Sequence, residues 1–280
     1  MILVWVDDII IAANSNQLLF EVKKKLSRRF KMKDLGPLTS FLGIQFNSTN
    51  NCVTMNQSDY LQNVLHKFGF FDCKPRSTPC EQVPNSYQDQ ESTESSDSDI
   101  KLYRQMVGSL HYAMTCTRPD LSYVVTILSQ HISKPNSADW TMINPVFRYI
   151  KYTLDYFLTF RKDDELKLYA YCDVDWASSF EDRHSISGYY FSLSKNGPVI
   201  SWKSWKQASI ALSTCKAEYM AISAACQEMS YLSKLLKELL QINFEPVNLR
   251  NDNQGAIALV KNPIKHMKSK HIDIRYHFVR

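Results

Sequence analysis

Hydrophobic and polar positions follow two rhythms along this chain, one close to two residues and one close to 3.6, and each predicts a type of element. From Ile2 to Ala12 two β-rich apolar runs flank the adjacent acids Asp7 and Asp8, which predicts a hairpin with the acids at its tip. Tight hairpins favour Asn-Gly or Asp-Gly, so Asp-Asp is an odd choice for structure alone. From Ser15 to Lys33 the period lengthens: Leu18, Leu19, Val22, Leu26 and Phe30 fall at helical spacing, with Lys23, Lys24, Lys25, Arg28 and Arg29 between them. That basic face is either solvated or turned toward a phosphate backbone. Residues from Val53 pass from a strand into a helix that Ser58 would N-cap and that runs to about Phe68. Residues 81–101 are rich in Ser, Asp, Glu, Gln and Asn with almost no apolar content, which predicts a linker. Beyond it, Arg118-Pro119 is a sound helix start, and a helix over residues 138–154 contains Pro145. An interior proline predicts a kink costing about 3 kcal/mol.

The second half holds the stretch around which the chemistry gathers. In Leu168–Trp176, a period of two puts Tyr169, Tyr171, Asp173 and Asp175 on one face and Leu168, Ala170, Cys172, Val174 and Trp176 on the other. The segment reads as a buried strand, where carboxylates are costly unless bound to something positive such as a divalent metal. The alternative is that Asp173 only begins a turn past the strand end. Two more strand-like runs, 183–194 and 198–204, join at Lys195-Asn196-Gly197, which predicts three sequential antiparallel strands. Ser213 then caps a long helix with an apolar stripe at Ile222, Ala225, Met229, Leu232, Leu236 and Leu239. One step of four before Ile222 lies Glu218, so a carboxylate extends the core-facing stripe, unless it only complements the helix dipole. Last, a short strand from Pro246 ends in Asp252 and turns into another helix. Capping explains Asp252 or Asn253 alone, but not the recurrence of an acid at three separate element ends.

Composition narrows the classes without choosing among them. With 280 residues and 44% hydrophobic content the chain can bury sizeable cores, and it is not a disordered protein. The balance of 33 Lys and Arg against 28 Asp and Glu, +5 in total, permits a polyanionic partner without demanding one. Seven scattered cysteines without a C-x-x-C pair suggest neither a disulfide framework nor a zinc site, and point to a reducing, intracellular setting, cytoplasmic or nuclear. The apolar first residues lack a basic start and carry two acids, unlike a signal peptide, and no stretch is long enough to span a bilayer. A small-molecule enzyme is disfavoured by the lack of a glycine-rich phosphate loop or nucleophile–base pair.

Several of these stretches resemble a known family. Trp5-Val6-Asp7-Asp8 resembles the Y-x-D-D motif of reverse transcriptases, with Trp5 where tyrosine is usual. The run from Met32 to Ile44 resembles the segment after the catalytic hairpin of copia-type LTR retrotransposon Pol polyproteins. The motifs Tyr171-Cys-Asp-Val-Asp-Trp-Ala, Ser187-Gly-Tyr, Ser201-Trp-Lys-Ser, Ala217-Glu-Tyr, Asp252-Asn-Gln-Gly-Ala-Ile and Lys270-His-Ile-Asp-Ile-Arg-Tyr-His-Phe follow in that family's order.

The resemblance implies an α/β fold, an RNase H-like mixed sheet with flanking helices, preceded by an α+β partial palm and thumb of a reverse transcriptase. It places the palm and thumb at 1–80, the linker at 81–101, a connection segment at 102–165 and the RNase H-like unit at 166–280. By position, Asp173, Glu218 and Asp252 become metal-binding catalytic carboxylates, with Asp273 as a weaker fourth, and Asp7 and Asp8 a polymerase-motif remnant. Two Mg²⁺ ions, or Mn²⁺ in their place, would serve hydrolysis of the RNA strand of an RNA–DNA hybrid. Expected partners are the hybrid, read by shape and 2′-hydroxyl, and the remaining Pol segments, with no membrane. The chain starts at the catalytic hairpin and stops after the last motif, so DNA synthesis by it alone is not expected and loss of RNase H activity through truncation is an open alternative. Such a remnant would be inactive or only bind nucleic acid. Lys216 stands where the family commonly has Glu, which breaks a capping box with Ser213 and is expected to put a cation near Glu218.

Overall fold

A computed structural model describes residues 1–80, 96–179, 182–244 and 246–261; Asp273 lies outside the described residues. Among the described residues the architecture is mixed α/β, with three sheets. The N-terminal hairpin pairs β1 (Ile2–Trp5) with β2 (Asp8–Ile11). Trp5 stands opposite Asp8, so the turn is Val6-Asp7 rather than Asp7-Asp8, and Val6 takes the positive φ of 49°. One acid is therefore in the turn and the other on the strand. Helix α1 (Asn16–Arg29) follows, N-capped by Ser15, and none of its residues is buried.

The second sheet joins β3 (Ser40–Phe41), β4 (Ile44–Ser48) and β5 (Cys52–Asn56) to a distant strand, β6 (Leu158–Arg161), all antiparallel. Leu42-Gly43 makes the β3–β4 turn with both φ values positive, the geometry that a two-residue hairpin with matching twist requires. Helix α2 (Ser58–Lys67) has its N-cap one residue before the expected one: Gln57 holds the N-cap position, Ser58 is the first helical residue, and the Ser58 hydroxyl donates to the Leu154 carbonyl at 2.7 Å. The cap is decided by backbone geometry that residue type alone does not specify.

Helix α3 (Asp97–Cys116) starts inside the stretch expected to be linker through 101, because Ser96 and Asp99 form a capping box ahead of its apolar stripe. After a 3₁₀ turn at Pro119–Leu121 come α4 (Ser122–Leu128) and α5 (Ser137–Tyr152). Leu61 and Leu65 of α2, Tyr103 and Leu110 of α3, Leu128 of α4 and Phe147 of α5 share one core, so packing joins residues on both sides of position 80. Pro145 sits inside α5, which continues through it. There it leaves the Thr141 carbonyl without its helical partner, partly offset by a stiffer unfolded chain. Pro145→Ala is expected to raise stability by about 1–2 kcal/mol, read as a higher urea midpoint.

The third sheet has the order β10-β7-β8-β9, from β7 (Tyr169–Asp175), β8 (Ile186–Ser192), β9 (Val199–Lys206) and β10 (Asn248–Arg250). The first three in sequence are antiparallel neighbours, as their alternation predicts, and β10 pairs parallel with β7. Helix α6 (Thr214–Leu240), with Ser213 accepting from the Lys216 N–H, precedes β10, and α7 (Gln254–Lys261) follows it. Leu168, Ala170, Cys172 and Phe191 on one sheet face meet Ile222, Ala225, Leu232 and Leu236 of α6 and Ala256 of α7. Leu239, expected to end the stripe, is exposed. On the other face the helices reach over β9 and the start of β8: Thr126 of α4 donates to the Ser204 carbonyl, the Trp202 indole donates to the Met114 carbonyl of α3, and Ile186 is buried in the helical core. Among the described residues no helix is long and apolar enough to cross a membrane.

Candidate metal centre

At one end of the third sheet three acids converge. Asp173 belongs to β7, Glu218 to the first turns of α6, and Asp252 to the turn between β10 and α7. One carboxylate oxygen from each lies within 4.8 Å of the others, and no other group of three or more His, Cys, Asp or Glu meets this way among the described residues. Asp7 and Asp8, both exposed on the hairpin, stand outside this group.

The burial of these acids reverses one expectation. Asp173 and Asp175 are exposed, because their face of β7 opens to solvent while Ala170 and Cys172 face the core. The buried carboxylate is Glu218, only 5% exposed. Its place on the α6 stripe follows from the step of four to Ile222, which is buried beside it. Asp175 is not part of this cluster, and it accepts from the Tyr123 hydroxyl at 3.4 Å.

Local hydrogen bonds settle which residues cap and which remain for chemistry. Asn253 caps α7, accepting from the Ala256 N–H at 2.9 Å, and its own N–H donates to Asn251 Oδ1 at 3.0 Å. Asp252 is thereby spared from capping. Asn251 Nδ2 donates to Glu218 Oε2 at 2.8 Å and to the Cys172 carbonyl at 3.2 Å, tying the third acid's turn to the buried second acid and to β7. Sequence reasoning passed over Asn251; the short strand that ends beside Asp252 was the available signal.

Burial pushes the Glu218 carboxyl above the usual range; Asn251 opposes this, and the charges of Asp173 and Asp252 add to it. The Lys216 charge acts on the neighbouring Cys215 thiol, lowering it against the effect of burial. Burial raises the Cys172 thiol to about 12, so the donors at the site are oxygens and not thiolate. Oxygen donors on three converging acids, two of them exposed, suit a hard divalent cation.

A raised carboxyl pKa makes the pH dependence of stability predictable in sign. The folded state binds the Glu218 proton more tightly than the unfolded chain, so this stabilisation is present below the unfolded carboxyl range and lost as pH rises through the folded value. In EDTA, Glu218→Gln is therefore expected to raise the urea midpoint at pH 7, with the gain shrinking near about pH 4, where ordinary glutamates protonate. Equal effects at both pH values would contradict that origin.

Comparison with known proteins places the chain. Residues 1–82 match the family model described as reverse transcriptase (RNA-dependent DNA polymerase). Across 100% of its length the chain is 36% identical to the Retrovirus-related Pol polyprotein from transposon TNT 1-94 of Nicotiana tabacum. It is 37% identical, over 83% of its length, to an uncharacterized mitochondrial protein of Arabidopsis thaliana, 94% of which is covered. A putative transposon Ty5-1 protein of Saccharomyces cerevisiae is 31% identical, with 81% of this chain and 73% of the relative covered. The chain belongs to the copia-type retrotransposon Pol family.

It spans about a fifth of the tobacco Pol polyprotein, 21%. No solved structure matches the chain. Within this Pol chain the reverse transcriptase match covers the hairpin with Asp7 and Asp8, the second sheet's first strands and α2, whereas the three-carboxylate cluster lies beyond the matched residues.

Proposed function

We propose that residues from β7 onward form an RNase H-like module of a retrotransposon reverse transcriptase, hydrolysing the RNA strand of RNA–DNA hybrids with divalent metal. The convergence of Asp173, Glu218 and Asp252 within 4.8 Å carries this reading. The sheet supports it: an antiparallel run β7–β8–β9 with β10 added parallel to β7 puts an acid of β7 beside one that follows β10, with α6 crossing to supply the third.

Asp173, Glu218 and Asp252 would hold Mg²⁺ or Mn²⁺ through carboxylate oxygens. Bound there, such ions would activate water for attack on the phosphodiester and neutralise charge on the leaving 3′ oxygen. The residues' own contributions are distinct. Glu218 would act as a ligand through its carboxylate form, and the Asn251 amide donates to that carboxylate at 2.8 Å and orients it. Asp173 and Asp252 present their carboxylates from the open side, where a duplex can approach. Asp7 and Asp8 offer two acids of a polymerase motif, and among the described residues no third acid joins them, so DNA synthesis is assigned to the larger Pol polyprotein and not to this chain alone.

The test is cleavage of a labelled RNA–DNA hybrid by the purified chain with Mg²⁺ and with EDTA, beside Asp173→Asn. Metal-dependent cleavage that the substitution removes supports the ribonuclease. A folded chain that binds the hybrid but never cuts it would leave the other reading, a nucleic-acid-binding remnant.

A further inference from the structure

Asp173 and Asp252 line a larger cleft of about 830 Å³ between the open face of the third sheet and the 3₁₀ turn at Pro119. Strand register orders its floor. One row across the four strands reads Arg250, Tyr171, Tyr190, Trp202. The adjacent row contains Asp173, Gly188 and Ser204. Two residues of strand separate the rows, roughly 7 Å, on the scale of one nucleotide of backbone.

The first row is built rather than incidental. Tyr171 and Tyr190 stack with ring centroids 4.6 Å apart and planes 13° from parallel. The Arg250 guanidinium lies over the Tyr171 ring at 5.3 Å and over Tyr169 at 5.8 Å, and its Nη1 donates to the Tyr171 hydroxyl at 3.0 Å. Stacking and the hydrogen bond hold a long side chain in one orientation, so less of its freedom remains to be lost on binding. Trp202, tethered to α3, closes the far end.

Gly188 adds an independent observation. Its φ is not in the left-handed region, and a Cβ there would meet nothing nearer than the Lys203 carbonyl at 3.7 Å. Neither backbone nor packing asks for glycine at this position. A side chain there would stand beside Asp173 on the cleft floor, where a bare strand admits close approach of a ligand.

We infer that Arg250, Tyr171 and Tyr190 form a clasp for the sugar–phosphate backbone of a nucleic-acid strand, with Gly188 leaving room for that strand to pass over Asp173. Arg250 takes a phosphate through its planar fork, the tyrosine edges take the neighbouring sugar, and the next phosphodiester falls at the carboxylates. Charge favours this direction: the acids repel a phosphate at their own end until a cation is present, while the guanidinium attracts one at the other. The choice of nucleic acid rests on the proposed ribonuclease function, but the clasp is testable without cleavage.

Binding of a labelled RNA–DNA hybrid to the full chain is measured in EDTA by fluorescence anisotropy across a salt series, for wild type, Arg250→Gln and Gly188→Val. Melting temperatures check that each variant folds; Arg250 is exposed and Gly188 has space. Arg250→Gln is expected to weaken binding about tenfold. Its salt slope should fall by about one, as for a lost phosphate contact. Gly188→Val should weaken binding by a similar factor while leaving the fold intact, and Arg250→Lys should recover part of the affinity. Folded variants that bind like wild type overturn the clasp, as does a wild-type chain that does not bind the hybrid. If Arg250-dependent binding is found without any cleavage, the ribonuclease fails and the clasp stands. If Asp173-dependent cleavage is found with binding indifferent to Arg250 and Gly188, the clasp fails and the ribonuclease stands.

Discussion

Asp173→Asn is expected to lower Mg²⁺-dependent hybrid cleavage by roughly a thousandfold, the scale of losing a charged group that acts on the reacting atoms. The substitution keeps the shape of the side chain. Asp173 is exposed and stands opposite Gly188, so little packing changes with it. What changes is the donor set, from three carboxylates to two. Removing one of three crowded negative charges should also relieve Glu218, whose carboxyl the Asp173 charge helps push up. The metal-free variant should therefore melt no lower than wild type, and the rise in melting temperature expected for wild type on adding Mg²⁺ should shrink or vanish in the variant. Loss of cleavage together with loss of the fold would point to structure, and cleavage at the wild-type rate would remove Asp173 from the site.

The second large effect concerns stability. Arg118→Leu is expected to cost about 3 kcal/mol, in the range for breaking a buried ion pair from one side. Arg118 is 1% exposed, on the segment between α3 and the 3₁₀ turn. Its Nε and Nη2 donate to the two oxygens of Asp120 at 3.0 and 2.8 Å. The remaining donors reach the Thr153 carbonyl at 3.3 Å and the Thr153 hydroxyl at 2.5 Å, and the rings of Tyr149 and Tyr156 lie 5.5 Å from the guanidinium carbon. The Asp120 side chain is 30% exposed and can rehydrate, which holds the cost below that of a fully buried pair. Arg118→Lys keeps the charge but loses the fork and should fall between. Urea unfolding followed by tryptophan fluorescence reads both, and a loss under about 1 kcal/mol for the leucine variant would mean the cage contributes little net stability. Because Asp120 also lines the cleft, a weakened pair should loosen the wall opposite the carboxylates.

What local periodicity could and could not show is clear at particular residues. The period of two in Leu168–Trp176 separated Asp173 from Cys172 correctly, since alternation is a property of the strand itself. It could not say that the aspartate face lies open, because that depends on how far α3 and α4 reach across the sheet. Glu218 was legible as a carboxylate extending a helical stripe, and the structure buries it. Arg250 and Asn251 were not, for opposite reasons. Arg250 gains meaning only from register with Tyr171 on a strand nearly 80 positions away, and Asn251 only from its bond to Glu218. Ser58 resembled a cap by residue type, yet cap geometry fell one residue earlier at Gln57. Asp273, named from the resemblance, lies outside the described residues.

The pairing of β5 with β6 sets an order of events during synthesis. Val53 faces Phe160, so the outer edge of β5 waits for a segment made on the order of a hundred residues later. At about 5–20 residues per second that edge stays open for roughly 5–20 s, offering bare N–H and C=O groups to any neighbouring strand. The helices α3 to α5 emerge in the interval, and their packing onto α2 through Leu61 and Leu65 brings β6 to the edge it must cover. A nascent chain stalled before Leu158 would therefore carry the edge of β5 uncovered, an unshielded site for aggregation.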